Sequence, residues 1–176
     1  SSDLLSLGIG LGKSAVWGAM LHAVNHSLTK AMLFLVAGNI LARFQSKSCQ
    51  DVTGLIRLMP LTGLLWLAGF LAITGSPPFG PFLSEFTILK AALDEGRIAI
   101  AVLYLVLLAV VFIGMATPFL RMAQGNPSPN MKRDAAFESV FFVIPPVALS
   151  LLALLLGIYI PDFLNQAIQH AAQVLG

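Results

Sequence analysis

The sequence predicts an all-α fold, namely a polytopic membrane helix bundle with one discontinuous transmembrane helix. Of the 176 residues, 57% are hydrophobic and 10% are charged, whereas a soluble domain carries about 25% charged residues. Four long apolar segments follow one another along the chain, and glycines and prolines interrupt the second of them. We therefore expect about four membrane spans within a single transmembrane domain, residues 1–176, with an amphipathic helix at the end.

The uninterrupted segments differ in length. The first covers residues 14–43, and as a helix it would be about 45 Å long, more than the ~30 Å hydrocarbon core, so it must tilt, kink or protrude. The third and fourth segments cover residues 98–120 and 140–160. In the tail, residues 161–176, apolar residues recur at helical spacing between polar ones, which predicts an amphipathic helix at the membrane surface.

The second segment, residues 60–93, contains a break at residues 75–81. Three prolines and two glycines among these seven residues cannot continue a regular helix. Interrupted helices are tolerated at membrane depth where the freed backbone is buried in protein or lines a cavity, and they often mark transport sites. The residues expected to form the break are Gly75, Pro77, Pro78, Gly80 and Pro81.

The distribution of basic residues predicts the orientation. If the broken segment crosses the membrane once, six Lys and Arg residues lie on one side and three on the other, and the positive-inside rule makes the richer side cytoplasmic. The tail then faces outward. If the segment is instead re-entrant, Arg97 joins the first side and the later spans are inverted. The six residues are Arg43, Lys47, Arg57, Arg121, Lys132 and Arg133, and the three are Lys13, Lys90 and Arg97.

Three ionisable residues, His22, His26 and Lys30, follow one another at steps of four inside the first apolar segment. Each step turns a helix by about 40°, so the three fall within one stripe about 80° wide. Ionisable groups at membrane depth are costly and mark ion paths, proton relays or bound ligands. Imidazole can accept a proton on one nitrogen and release it from the other. The pattern, which we call the His–Lys row, predicts a proton relay.

Glu85 is the second candidate site. It directly follows the break, near the start of a helical run where the helix dipole favours a negative charge while burial disfavours it. A carboxylate under both influences can titrate, so we expect Glu85 to exchange protons with the His–Lys row. The competing interpretation is structural, with His22 at the membrane edge, Lys30 paired to a carboxylate, and Glu85 as a surface acid at a helix terminus.

Other chemistries find little support. The net charge of +2 is too small to indicate a nucleic-acid partner. The single cysteine, Cys49, allows neither a disulfide within these residues nor a cysteine cluster. His22 and His26 have a spacing that can share a metal ion, but no third His or Cys lies in any predicted span, since His170 is in the tail. We expect no catalytic residue, no metal and no cofactor.

Two stretches of the sequence resemble a known family. Residues 22–39, HAVNHSLTKAMLFLVAGN, and residues 75–86, GSPPFGPFLSEF, are similar to signature helices of the antiporter-like membrane subunits. Such subunits occur in respiratory complex I, in membrane-bound nickel–iron hydrogenases and in multisubunit sodium/proton antiporters. Together with residues 156–161, LGIYIP, these stretches most resemble the hydrogenase-4 component F branch of the family.

The resemblance implies a longer parent with two inverted helix repeats, each holding a broken helix and a charged residue at mid-membrane. His22, His26 and Lys30 match the connecting polar residues of that family, and Glu85 matches its terminal charged residue near one exit. The earlier Glu–Lys pair of the family is not present in this sequence. We therefore expect the chain to be the C-terminal portion of such a subunit.

The implied function is proton translocation in a redox-driven complex of the hydrogenase or NADH:quinone oxidoreductase type. The chain would not be catalytic by itself, and its partners would be the lipid bilayer, protons and the other membrane subunits, in the plasma membrane of a bacterium or archaeon. Two alternatives remain open. One is a sodium/proton antiporter subunit of the Mrp type without a redox link, and the other is a structural anchor without transport.

Overall fold

The computed structural model describes residue 10, residues 13–127 and residues 138–175. Within these ranges the chain forms seven α-helices and no strand, which confirms the predicted all-α class. The apolar, glycine-rich residues 4–12, which by sequence could form the end of an earlier span, fall outside the described residues apart from residue 10, as do Lys132 and Arg133. The helices are α1 (Lys13–Phe44), α2 (Leu55–Leu58), α3 (Pro60–Ile73), α4 (Gly80–Asp94), α5 (Ile98–Gln124), α6 (Val140–Ile158) and α7 (Asp162–Leu175).

Three helices of the described chain are long and apolar enough to cross a membrane, namely α5, α6 and residues Ala15–Phe44 of α1. The remaining predicted span is the broken segment, whose halves α3 and α4 have 14 and 15 residues and are each too short to span alone. Helix α5 continues to Gln124, beyond the predicted end at Leu120, because the prediction followed the apolar run and helical hydrogen bonds continue past it.

Helix α1 is central to the bundle, since it contacts α3, α4, α6 and α7. Its 32 residues correspond to a length of about 48 Å. Towards its C-terminal end the buried face is apolar, and Met32 and Val36 join the core cluster that contains Trp66 of α3. Towards its N-terminal end the buried face also carries His22 and Asn25. The same helix therefore presents an apolar surface to α3 and a partly polar one to α4.

The broken segment crosses the bundle once. Near the start of α5, Tyr104 lies beside Glu85 of α4, and near the end of α5, Phe119 stacks on Trp66 of α3. Residues early in α5 thus contact the second half of the broken segment, and residues late in α5 contact its first half. Helices α3 and α4 therefore run antiparallel to α5 as one interrupted span. Among the described residues, this course favours a single interrupted crossing over the re-entrant alternative, whereas the orientation relative to the membrane stays a prediction.

The break between α3 and α4, residues 74–79, lies near the mid-length of α1. Gly80, the first residue of α4, packs against Asn25, while Gly69, near the end of α3, packs against Leu33. The break is therefore level with the residues of α1 between these two contacts. Since α1 covers residues 13–44, this level is close to the middle of the helix.

The tail forms an amphipathic helix, α7, which packs on α1. Ile168 and Ala172 are buried, whereas Phe163 and Val174 are exposed. The indole Nε1 of Trp17, near the start of α1, donates a hydrogen bond to Asn165 Oδ1 at 3.1 Å. The tail thus lies at the end of the bundle where α1 begins, in an arrangement suited to a membrane surface.

Candidate functional site at the helix break

The His–Lys row turns from the interior of the bundle to its outer surface. The side chain of His22 is 1% exposed, His26 is half-buried, and Lys30 is exposed. A stripe about 80° wide can begin on the face of α1 that contacts a neighbouring helix and end on a face that no described helix covers. The structure therefore brings His22 and His26 together but leaves Lys30 on the exposed face of α1, near the mid-length of that helix.

The two histidines form the buried part of the row and contact α4. Their ring centroids are 5.4 Å apart, and the ring planes are inclined by 27°. His22 Nδ1 lies 3.1 Å from Oγ of Ser84 on α4, so the row reaches the residue directly before Glu85. In the part of the chain that the structure describes, no group of three or more His, Cys, Asp or Glu side chains is placed to hold a metal ion.

Several polar atoms on this face of α1 have no protein partner. Among the described residues, His22 Nε2, His26 Nε2 and both side-chain amide atoms of Asn25 are buried without a hydrogen bond. Asn25 is fully buried, and its amide packs so closely on Gly80 that a Cβ at Gly80 would overlap it. Buried polar groups are nearly always satisfied by protein or by ordered water. The arrangement is therefore suited to holding water between α1 and α4.

Glu85 lies on the second turn of α4, and its side chain is 7% exposed. The carboxylate folds back against Gly75 of the break, where a Cβ would overlap it. Gly75 has a φ of 64°, a left-handed conformation that glycine adopts without strain, so this position requires glycine for two reasons. The backbone oxygen of Glu85 accepts a hydrogen bond from the Tyr104 hydroxyl at 3.5 Å. The break and α5 together enclose Glu85.

The other charged residues at the end of α4 are exposed and paired. Lys90 Nζ lies 2.6 Å from Asp94 Oδ2, and Arg97 Nε lies 3.1 Å from Glu95 Oε2. Within residues 13–127 and 138–175, Glu85 has no ion pair of this kind. A buried carboxylate that forms no ion pair with the described residues is costly, and the burial of Glu85 argues against a surface acid at a helix terminus.

Of the five residues expected to form the break, two already belong to the next helix. The prediction was wrong for these two because glycine and proline are read from a sequence as helix breakers. Proline is tolerated in the first turn of a helix, where its missing N–H would have no partner in any case. Gly75, Pro77 and Pro78 lie between the helices, whereas Gly80 and Pro81 begin α4.

Three further positions of the site are difficult to find from sequence. Ser84 resembles an ordinary helix hydroxyl that bonds its own backbone, as Thr87 does at 2.8 Å, and only the packing of α1 reveals the imidazole beside it. Gly157 of α6 packs on the backbone of residues 78–79, but its apolar surroundings do not distinguish it. Tyr104 is the easiest of the three to find, because it is a tyrosine in an otherwise apolar segment.

Residues 4–114 match the family model described as the transmembrane region of NADH:quinone oxidoreductases and Mrp antiporters. The chain belongs to this family. It is 28% identical to a hydrogenase-4 component F homolog from Methylacidiphilum infernorum, over 98% of this chain and 35% of that protein. It is 30% identical to NADH-quinone oxidoreductase subunit M of Mycobacterium tuberculosis, over 90% of this chain and 29% of that one. It is 26% identical to Na(+)/H(+) antiporter subunit A1 of Staphylococcus epidermidis, over 89% and 21%.

The fold has a counterpart in a solved structure. The Mrp complex from Dietzia sp. contains a chain that superposes with a TM-score of 0.83 over 96% of this chain and 39% of that chain, at 22% identity. The chain spans about a third of the length of the curated relatives named first. Members of the antiporter-like family are multi-pass plasma-membrane subunits in bacteria and archaea, which confirms the predicted family and location.

Proposed function

We propose that the chain is part of a proton-translocating membrane subunit in a redox-driven complex of the membrane-bound hydrogenase or NADH:quinone oxidoreductase type. The observation that carries the proposal is the contact between α1 and α4 beside the helix break. There a buried imidazole, His22, bonds to Ser84, and the next residue is Glu85, whose buried carboxylate forms no ion pair with any described residue. Titratable groups enclosed at mid-membrane fit a proton path better than they fit a structural role.

Each polar residue has a separate task along this path. Glu85 holds and releases a proton beside Gly75, at the level of the break. The stacked rings of His22 and His26 carry the proton along α1, and the buried amide of Asn25 holds water beside them. Lys30 forms the outer end of the row.

The exposed position of Lys30 bears on the partners of the chain. A charged side chain at the centre of a bilayer costs at least about 2.5–3.5 kcal/mol on insertion scales, and such groups face protein or water. The exposed face of α1 around Lys30 also carries large apolar side chains, including Phe34, which is 74% exposed. We assign this face to a contact with further helices of a longer parent, since the curated relatives are about three times as long as the chain.

The alternative function is that of a sodium/proton antiporter subunit without a redox link. The likeness to the Mrp complex and to antiporter subunit A1 favours it. Both functions use the same buried residues and differ in the driving force and in the ion. Transport that needs the electron donor of the parent complex supports the redox-driven function. Sodium-dependent transport without an electron donor supports the alternative.

The test uses Lys30→Ala and Glu85→Gln in the intact parent complex, reconstituted in vesicles with a pH-sensitive dye. We expect each variant to assemble normally and to lose proton transport by at least about 100-fold, the usual contribution of a positioned acid or base. Glu95→Gln and Lys90→Ala make the same chemical changes at exposed, paired residues of α4 and the following turn, and they should transport normally. Undiminished transport in both Lys30→Ala and Glu85→Gln would contradict both transport functions.

A further inference from the structure

We propose that Ser84 is a positioning residue that fixes the tautomer of His22, so that His22 takes up and releases its proton at Nε2 alone. This inference rests on the proposed function and deepens it, because it assigns the conducting nitrogen of the innermost residue of the row. The sequence alone suggests a different route, in which a proton enters the imidazole at one nitrogen and leaves from the other.

The hydroxyl proton of Ser84 is committed to the backbone of its own helix. Ser84 Oγ lies 2.8 Å from the carbonyl oxygen of Pro81 and 3.5 Å from that of Gly80. A carbonyl oxygen can only accept, so the hydroxyl must be the donor in this contact. Ser84 is fully buried, and bulk water does not compete for the bond. The lone pairs of Oγ therefore remain available to a different donor.

His22 is that donor. Its Nδ1 lies 3.1 Å from Ser84 Oγ, and since the only proton of the hydroxyl is already used, the proton in this contact belongs to the imidazole. A neutral His22 is consequently protonated at Nδ1 and carries its lone pair on Nε2. Within the described ranges, Nε2 is buried without a hydrogen-bond partner in the protein.

Proton transfer then occurs at one nitrogen. Uptake forms the N–H bond at Nε2 with a proton given up, through water, by a neighbouring group of the proposed path, the Glu85 carboxylic acid or the His26 imidazolium, and gives an imidazolium cation on His22. Release breaks that same N–H bond and passes the proton to the other neighbour, while the bond from Nδ1–H to Ser84 persists throughout. The ring of His26 is stacked on that of His22, and its own Nε2 is also buried and has no partner among the described residues. Ser84 thereby directs the reactive lone pair of His22 without carrying the proton itself.

The experiment is solid-state NMR of the intact parent complex labelled with ¹⁵N-histidine, with His22→Gln as the difference reference that assigns the His22 signals. In the unaltered complex we expect Nδ1 at the protonated position and Nε2 at the unprotonated position. In Ser84→Ala the preference for this tautomer should fall by about fivefold to tenfold, the value of one neutral hydrogen bond. Ser84→Thr keeps a hydroxyl and should retain the Nδ1–H form.

Ser27→Ala is the matched control, since Ser27 is an exposed residue of α1 whose hydroxyl bonds the backbone of Ala23, and it should leave the His22 signals unchanged. A neutral His22 protonated at Nε2 in the unaltered complex would overturn the proposal, and so would an unchanged tautomer in Ser84→Ala. The first of these two results is measured on the unaltered complex, so it does not depend on whether a Ser84 variant folds. Failure here is distinguishable from failure of the proposed function, because transport by Glu85→Gln tests the latter separately.

Discussion

The two halves of the broken helix pack in opposite ways. Helix α3 packs on α5 through aromatic rings, with Trp66 stacked on Phe119 at 4.2 Å and Phe70 at 5.2 Å from the same ring. Helix α4 packs on α1 partly through apolar residues, with Ile88 against Gly18, but beside the break it meets α1 through polar groups, above all the contact between Ser84 and His22. One continuous crossing of the membrane thus has an apolar half that holds the bundle together and a polar half that carries the titratable groups.

The difference between the halves separates the residues expected to stabilise the bundle from those of the proposed proton path. Lipid chains are as apolar as the side chains of α3, so close packing, and not exclusion of water, stabilises that half. The polar half contains the buried carboxylate of Glu85 and packs against the buried amide of Asn25 on α1, and such groups cost stability. Helix α3 also has two buried polar atoms without a partner among the described residues, Thr62 Oγ1 and Trp66 Nε1, but it has no ionisable side chain. We therefore expect substitutions in α3 to affect stability and substitutions around α4 to affect transport.

The largest effect is expected for Trp66→Ala in the apolar half. Removal of the indole leaves a cavity against Phe119 and should lower the free energy of unfolding by about 3–5 kcal/mol. Transport per assembled complex should be unchanged. Thermal denaturation followed by size-exclusion chromatography measures the first quantity, and vesicle assays normalised to assembled protein measure the second. Trp66→Phe retains a stacked ring and should lose less. A specific loss of transport in Trp66→Ala would remove the division between the halves.

Gly75→Ala should have the next largest effect, now on transport. The added methyl group would overlap the carboxylate of Glu85, and a displacement of about 1 Å can reduce a rate by about 100-fold. Gly114→Ala is the matched control, since a Cβ there meets nothing within 4 Å. We expect proton transport to fall in the first variant and to remain normal in the second. Equal transport in both would mean that the position of the carboxylate is unimportant.

Asn25→Leu should reduce transport by about tenfold, the scale of one water-mediated hydrogen bond. Leucine is similar in size to asparagine but cannot hold water, so the contact with α4 becomes apolar while the bundle stays intact. Thr29→Val is the control, because the Thr29 hydroxyl bonds only the backbone oxygen of Asn25, at 2.8 Å. Initial rates of proton uptake into vesicles measure the effect. Normal transport in Asn25→Leu would contradict a hydrated contact at this position.

The smallest effect is expected for Lys90→Ala. Lys90 lies on α4 like Glu85, but it is exposed and paired with Asp94, and an exposed ion pair contributes at most about 1 kcal/mol. Transport should be indistinguishable from that of the unaltered complex in the same vesicle assay. A large loss of transport in Lys90→Ala would mean that the polar path extends to the outer end of α4 and that exposed charges also take part in it.

Much of the fold could be predicted because the membrane restricts the options. A segment at membrane depth must satisfy its backbone internally, so long apolar runs become helices and the glycines and prolines around Pro77 become a break. Helix α2, Leu55–Leu58, was not predicted, since four residues carry no detectable periodicity. Helix ends were predicted less accurately, as Gly80 shows, because a glycine can either end one helix or begin the next.

The site was only partly predictable for a geometric reason. The spacing of His22, His26 and Lys30 gives their common stripe, but it does not give the direction of that stripe relative to the neighbouring helices. Packing decides that His22 is buried and that Lys30 is exposed. The role of Ser84 likewise depends on a contact across 62 positions of sequence, which no local pattern encodes.

The proposed proton path rests on one claim, that Glu85 takes up and releases a proton beside the helix break. Infrared difference spectroscopy of the intact parent complex during turnover tests it most directly. We expect a carboxylic-acid C=O band that appears with turnover, shifts when H₂O is replaced by D₂O, and is absent in Glu85→Gln but present in Glu95→Gln. A spectrum that is the same in Glu85→Gln as in the unaltered complex would contradict the claim.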